Sequence, residues 1–176
     1  MKLKTMIVAM AVAVVLPVAA HADPATSADK ANGARACNAL KTSMGAAAFS
    51  STYATFGKCV SAWTRAEHRN RHEASAACTA EQADAGFAAA HDGKTFAQYY
   101  GVGKRGANAL NRCTQAKLKA ASAAERQATA KAAKQCKAER GSLGAEAFRA
   151  KYGAGAEKAN AFGKCVSKLA RAQQTG

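Results

Sequence analysis

The chain has 176 residues, with 26 Lys and Arg against 11 Asp and Glu, a formal net charge of +15. Alanine supplies 49 of the hydrophobic residues, and after residue 22 only 20 large apolar side chains remain, none of them Ile. So few Leu, Ile, Val and Phe beside a large net charge exclude a membrane-spanning core and a deep apolar enzyme pocket, and they leave the chain disordered unless something staples it.

The first segment is an address. Lys2 and Lys4 precede an apolar run from Met6 to Ala20, and Ala20-His21-Ala22 fits a small-x-small cleavage site. That run is 15 residues long and contains Pro17, short of the ~20 that a membrane-spanning helix needs. The expectation is an export signal over 1–22, removed before Asp23, and a protein secreted or held in the periplasm or cell envelope. Its loss takes two Lys and no acid, which lowers the net charge from +15 to +13. Residues 23–33 are small and polar and read as a flexible leader.

Residues 34–176 form the domain. They are rich in Ala, Lys, Arg, Glu and Gln, all strong helix formers, and Pro occurs only at 17 and 24. The pattern predicts helices near 28–42, 54–90, 107–140 and 156–173, with short helices around Phe49, Phe96 and Phe148. Gly and Ser clusters at 101–106, 141–144 and 153–155 mark turns. No segment sustains strand alternation, so the fold class is all-α. The long helices suit an up-down four-helix bundle. An elongated array is the alternative, because 66–77 and 119–135 offer little besides Ala to pack between helices.

Three units recur at unequal spacing. Ser43-Met-Gly-Ala-Ala-Ala-Phe49 returns as Ser142-Leu-Gly-Ala-Glu-Ala-Phe148, and Phe56-Gly-Lys-Cys-Val-Ser61 as Phe162-Gly-Lys-Cys-Val-Ser167. Tyr100 to Leu110 aligns without gaps on Tyr152 to Phe162. The units run about Cys37–Cys59, Cys78–Cys113 and Cys136–Cys165, each with Phe and Tyr at i, i+4. With its Ala-Phe-x-x-x-Tyr-Gly and Asn-Ala-Phe-Gly-Lys-Cys-Val-Ser blocks, clearest over 147–167, the chain resembles a group of exported, Ala-rich bacterial proteins that repeat this Cys-bearing unit. That resemblance implies no activity, since none is known for the group.

An exported chain with an even number of Cys reads as a disulfide framework. Six Cys allow 15 connectivities. The repeat gives every unit one early and one late Cys, so 37–59, 78–113 and 136–165 is the economical pairing. Each such bridge is worth roughly 3–4 kcal/mol by chain entropy. Zinc would need Cys pairs two to four residues apart, whereas the nearest two here are 19 apart.

Few other motifs carry chemistry. Gly101-Val-Gly103-Lys104-Arg105-Gly106 spells a dinucleotide fingerprint but lacks its strand–helix context, and reads as an interhelical loop. Lys104 and Arg105 there, with Lys58, Arg112 and Lys164 before the later Cys of each unit, are the candidate anion-binding residues. His68 and His72 stand at i, i+4 and are the candidate metal ligands. There is no G-x-S-x-G, no acid pair in a catalytic arrangement and no cofactor motif. The sequence therefore points to a non-enzymatic exported structural or binding protein. Its basic surface would associate weakly with anionic polymers or membrane surfaces, without specific nucleic-acid recognition. A metal-binding protein using His68 and His72 is the alternative.

Overall fold

The computed structural model describes residues 23–103, 105–153 and 160–174, so the expected export signal and Lys104 lie outside the described residues. It contains α1 (Ser27–Met44), α2 (Ala46–Tyr53), α3 (Phe56–Ala83), α4 (Phe87–Ala90), α5 (Phe96–Tyr100), α6 (Ala109–Leu143), α7 (Ala145–Tyr152) and α8 (Ala161–Ala172). The class is all-α. A lone bridge between Val102 and Ala107 is the one extended pairing among the described residues.

The segment read as a leader, 23–33, is helical from Ser27. Thr26 and Asp29 form a capping box: Asp29 N donates to Thr26 Oγ1 at 3.1 Å, and Thr26 N donates to Asp29 Oδ2 at 2.8 Å. This satisfies backbone donors that the first helical turn leaves open, and α1 begins at Ser27. Asp29 is 1% exposed and takes two bonds of 3.3 Å from Arg71 on α3. Gly33 is buried where a Cβ would sit 2.9 Å from Thr64 N, so the small residue permits close helix contact. Small and polar described this segment correctly, but both properties serve packing.

The helix expected over 54–90 also ends earlier, at Ala83. Asp84 Oδ1 accepts from Gly86 N at 2.8 Å, a local turn that competes with helical continuation, and α4 restarts at Phe87.

Cross-helix partners fix the directions of the long helices. Asp29 meets Arg71, and Cys37 meets Cys59, so α1 and α3 are antiparallel. Glu67–Ser122 at one end and Cys78–Cys113 and Glu81–Lys117 at the other do the same for α3 and α6. Cys136–Cys165 and Gln135–Gln173 do so for α6 and α8. The disulfides are 37–59, 78–113 and 136–165, with Cα separations of 6.0, 5.9 and 6.0 Å. Every bridge joins two long helices.

Apolar burial gathers around these bridges. Cys37, Leu40, Phe49, Cys59 and Trp63 form one cluster, and Cys136, Phe148, Tyr152, Phe162, Cys165 and Val166 a second. Met44 packs against both. A third, smaller cluster holds Cys78, Phe87, Phe96 and Cys113, with Tyr100 against it. Phe49/Tyr53, Phe96/Tyr100 and Phe148/Tyr152 have ring centroids 5.2, 5.0 and 4.9 Å apart, so the i, i+4 spacing yields the same tilted pair each time.

The tyrosine hydroxyls expose a signal that the sequence carried unread. Tyr100 donates to Glu81 at 3.0 Å and Tyr152 to Glu139 at 2.9 Å, and each Glu lies three residues after the unit's early Cys. One helical turn therefore delivers the bridge and the acceptor together. Leu40 occupies the corresponding place in the first unit, and Tyr53 there accepts from Trp63 Nε1 at 3.0 Å instead. Tyr100 is pushed up to about 12 by burial and by the Glu81 carboxylate.

Candidate functional site

Between the bridged ends, α3 and α6 meet across a polar layer rather than an apolar one. Ser122 Oγ donates to Glu67 Oε2 at 2.8 Å, and Asn70 Nδ2 donates to Glu125 Oε2 at 3.0 Å. Arg69 stands 3.4 Å from Glu125. Here the alanine-rich segments bring backbones close, and the few polar residues between them find one another. The packing deficit expected at 66–77 and 119–135 is thus met by hydrogen bonds.

A cleft of about 600 Å³ opens onto this layer between α1, α3 and α6. Arg35, Lys119 and Arg126 supply positive charge, Asn32, Gln115 and Ser122 neutral hydrogen-bonding groups, and Ala36, Ala39 and Leu118 apolar wall. Glu67 is the one carboxylate lining it, and is only 2% exposed. Burial raises its pKa against the opposing pull of the Ser122 hydrogen bond and the Arg126 charge. The volume is within the range of small-ligand clefts. The lining sets three cations beside neutral hydrogen-bonding groups, an arrangement with the chemistry to hold an anionic group. Arg35, Lys119 and Arg126 carried no motif in the sequence. Arg35 of α1 meets Lys119 and Arg126 of α6 only because these two helices, far apart in sequence, pack side by side.

The residues singled out by sequence are placed differently. Lys58 and Lys164 are exposed in the first turns of α3 and α8, and Arg112 is exposed at the start of α6, where its Nε donates to Tyr100 O at 2.9 Å. Cys113 and Cys136 are 23 residues apart on α6, about 34 Å at ~1.5 Å per residue. Arg112 precedes the first and Lys164 is next to the partner of the second, so these positions cannot line a single site. Arg105 is exposed in the loop after α5.

In that loop the glycines serve packing. A Cβ on Gly101 would fall 2.4 Å from Gly106 Cα, and Val102 and Ala107 exchange two backbone hydrogen bonds of 3.1 Å. Gly101 and Gly106 thus close a tight turn against each other between two helices, as the missing strand context implied.

His68 and His72 do converge. Their Nε2 atoms are 3.2 Å apart, and His68 Nε2 also contacts the carbonyl oxygen of Asp23. Among the described residues, no three metal-ligating side chains gather in one place. No helix among them is long and apolar enough to cross a membrane. Comparison with protein-family models, with curated proteins and with solved structures finds no match to this chain.

Proposed function

We propose that this is an exported, non-enzymatic binding protein whose basic surface associates with anionic polymers of the cell envelope. The observation that carries the reading is how the acids are used. Asp29 pairs with Arg71, Glu81 with Lys117, Glu125 with Asn70 and Arg69, Glu139 with Lys151 and Tyr152, and Glu67 is buried. These five carboxylates are thereby drawn into contacts between helices, and although Glu73, Asp84, Asp92 and Glu146 stay exposed, so do Lys131, Lys134, Lys137 and Arg140 of α6 and Lys164 and Lys168 of α8. The field that a partner meets is positive.

The cleft adds a place where one anionic group can be held more closely than on open surface, by Arg35, Lys119 and Arg126. Three disulfides suit an oxidising compartment, which supports export. The three disulfide-bridged hairpins read as copies of one unit, so that basic positions recur along the molecule and favour extended polymers over compact ligands.

Binding to duplex DNA, to a teichoic-type phosphate polymer and to anionic vesicles at ~50 and ~200 mM salt tests this reading, because counterion release makes such affinity fall steeply with salt. All three should bind at low salt and weaken together. Replacing Arg35, Lys119 and Arg126 by Gln should weaken binding more than replacing Lys58, Arg112 and Lys164. Salt-resistant binding to one polymer alone, or no binding to any, would refute it.

A further inference from the structure

We propose that His68, His72 and the main chain of Asp23 form a binding site for a divalent transition-metal ion of the zinc or copper class. The starting point is the i, i+4 spacing, which brings the two imidazoles together edge to face on one side of α3 with ring centroids 4.5 Å apart. Their Nε2 atoms are 3.2 Å apart. Two imidazoles bound tetrahedrally to one ion at ~2.0–2.1 Å hold their nitrogens roughly 3.3 Å apart, so the pair is already close to ligating geometry.

The third donor comes from outside the helix. Asp23 O contacts His68 Nε2, and the reason is the anchoring upstream of α1. The Thr26–Asp29 capping box fixes the entry to α1, and the Asp29–Arg71 ion pair holds that entry against α3 within one turn of both histidines. The backbone ahead of Thr26 is thereby led to His68. Carbonyl oxygen and two imidazole nitrogens suit zinc or copper rather than magnesium or calcium, which prefer all-oxygen shells.

The surrounding charge permits a cation. Arg69 and Arg71 lie between the two histidines in sequence, yet Arg69 turns to Glu125 at 3.4 Å and Arg71 to Asp29 at 3.3 Å. Processing would complete the site. The export reading puts cleavage between Ala22 and Asp23, which frees the α-amine of Asp23. An amine and the carbonyl of the same residue close a five-membered chelate ring, and the Asp23 carboxylate is a further oxygen donor. On this reading signal removal creates a metal ligand. The imidazole pair and the carbonyl stand without it; the amine donor rests on the processing site.

The test is calorimetric titration of Zn²⁺ and Cu²⁺ into the oxidised chain beginning at Asp23, with Mg²⁺ as control. The same chain preceded by Gly-Ser isolates the contribution of the amine. His68→Gln and His72→Gln remove ligands, His91→Gln is the control, and circular dichroism confirms that each variant folds. The starting chain should bind one ion. Each ligand variant and the extended chain should bind ~10-fold or more weakly, in line with the sensitivity of metal sites to lost ligands, while His91→Gln and Mg²⁺ leave the site unaffected. Affinity unchanged in either His68→Gln or His72→Gln, or no saturable binding at all, would overturn the site. An extension without effect would overturn the amine's part in it. Polymer binding by the His variants should equal that of the parent, so failure of this site and failure of the polyanion reading remain separate results.

Discussion

Two buried carboxylates have opposite environments, and pH should tell them apart. Asp29 would be raised by its burial, but hydrogen bonds from the Thr26 backbone, Arg71 and the Thr26 hydroxyl outweigh that, and its pKa falls below the ordinary 3.8. Its contribution to stability is therefore present above that value and lost as pH falls through the lowered native one. Asp29→Asn should cost about 1–3 kcal/mol at neutral pH, and the deficit should shrink toward pH ~3. Glu67 is raised above 4.5 by burial, so the native state binds its proton more tightly than the unfolded chain does. Stability then falls as pH rises from the ordinary value through the raised one. Glu67→Gln keeps an acceptor for Ser122, and its melting temperature relative to the parent should climb as pH rises from the ordinary glutamate value of 4.5 through the raised one. Thermal unfolding across that range reads both signs; a flat difference for either variant would contradict its assigned environment. The capping box at Thr26-Ser-Ala-Asp29 has a local motif spacing, which the reading of 23–33 as a leader passed over. The burial of Glu67 was not legible, because it depends on Ser122, 55 residues away.

The helices followed from composition more closely than their ends did, and two glycines three residues apart show how much turns on conformation. Gly45 and Gly144 stand at the same place in the repeated Ser-x-Gly-Ala block and adopt φ +80 and +78, each ending one helix and starting the next. L-residues with a Cβ rarely enter that region. Gly141 lies inside α6, with open space where a Cβ would go. Gly141→Ala should stabilise by about 0.5–1 kcal/mol, and Gly144→Ala should destabilise by ~1 kcal/mol or more. Denaturant unfolding of the two variants should move the midpoint in opposite directions. The break of the predicted 54–90 helix at Ala83 escaped notice for a related reason. Helix propensity sums over many residues, whereas Asp84 and Gly86 stop the helix through one side-chain bond to the backbone. The pairing of the cysteines was readable because the repeat offered one early and one late Cys per unit, and helical hairpins bring those two together.

At the scale of the molecule, the three apolar clusters are unequally connected. The clusters around Cys37–Cys59 and Cys136–Cys165 share Met44, and Ala130 of α6 packs against the first, so that end of the molecule is one continuous apolar region. The cluster at Cys78–Cys113 stands apart, separated along α3 and α6 by the polar layer of Glu67, Asn70, Ser122 and Glu125. Such a layer contributes hydrogen bonds worth about 0.5–1.5 kcal/mol each, but little of the area-dependent burial that makes a core cooperative. The two ends should therefore respond differently to loss of a bridge. Reducing all three should unfold the protein or lower its melting temperature by tens of degrees, since each is worth roughly 3–4 kcal/mol against a total of ~5–15 kcal/mol for a domain. Removing Cys78 and Cys113 together, as alanine, should open only the far end. Hydrogen exchange should accelerate over 84–108, where α4, α5 and the glycine loop rest on Phe87 and Phe96, while α1 and the second half of α6 keep their protection. Removing Cys37 and Cys59 should instead raise exchange across α1, α3 and α8 at once, because the shared Met44 region would lose its support. Uniform acceleration in the 78–113 variant would mean that the polar layer transmits stability as well as an apolar core does, and that the two ends form one cooperative unit.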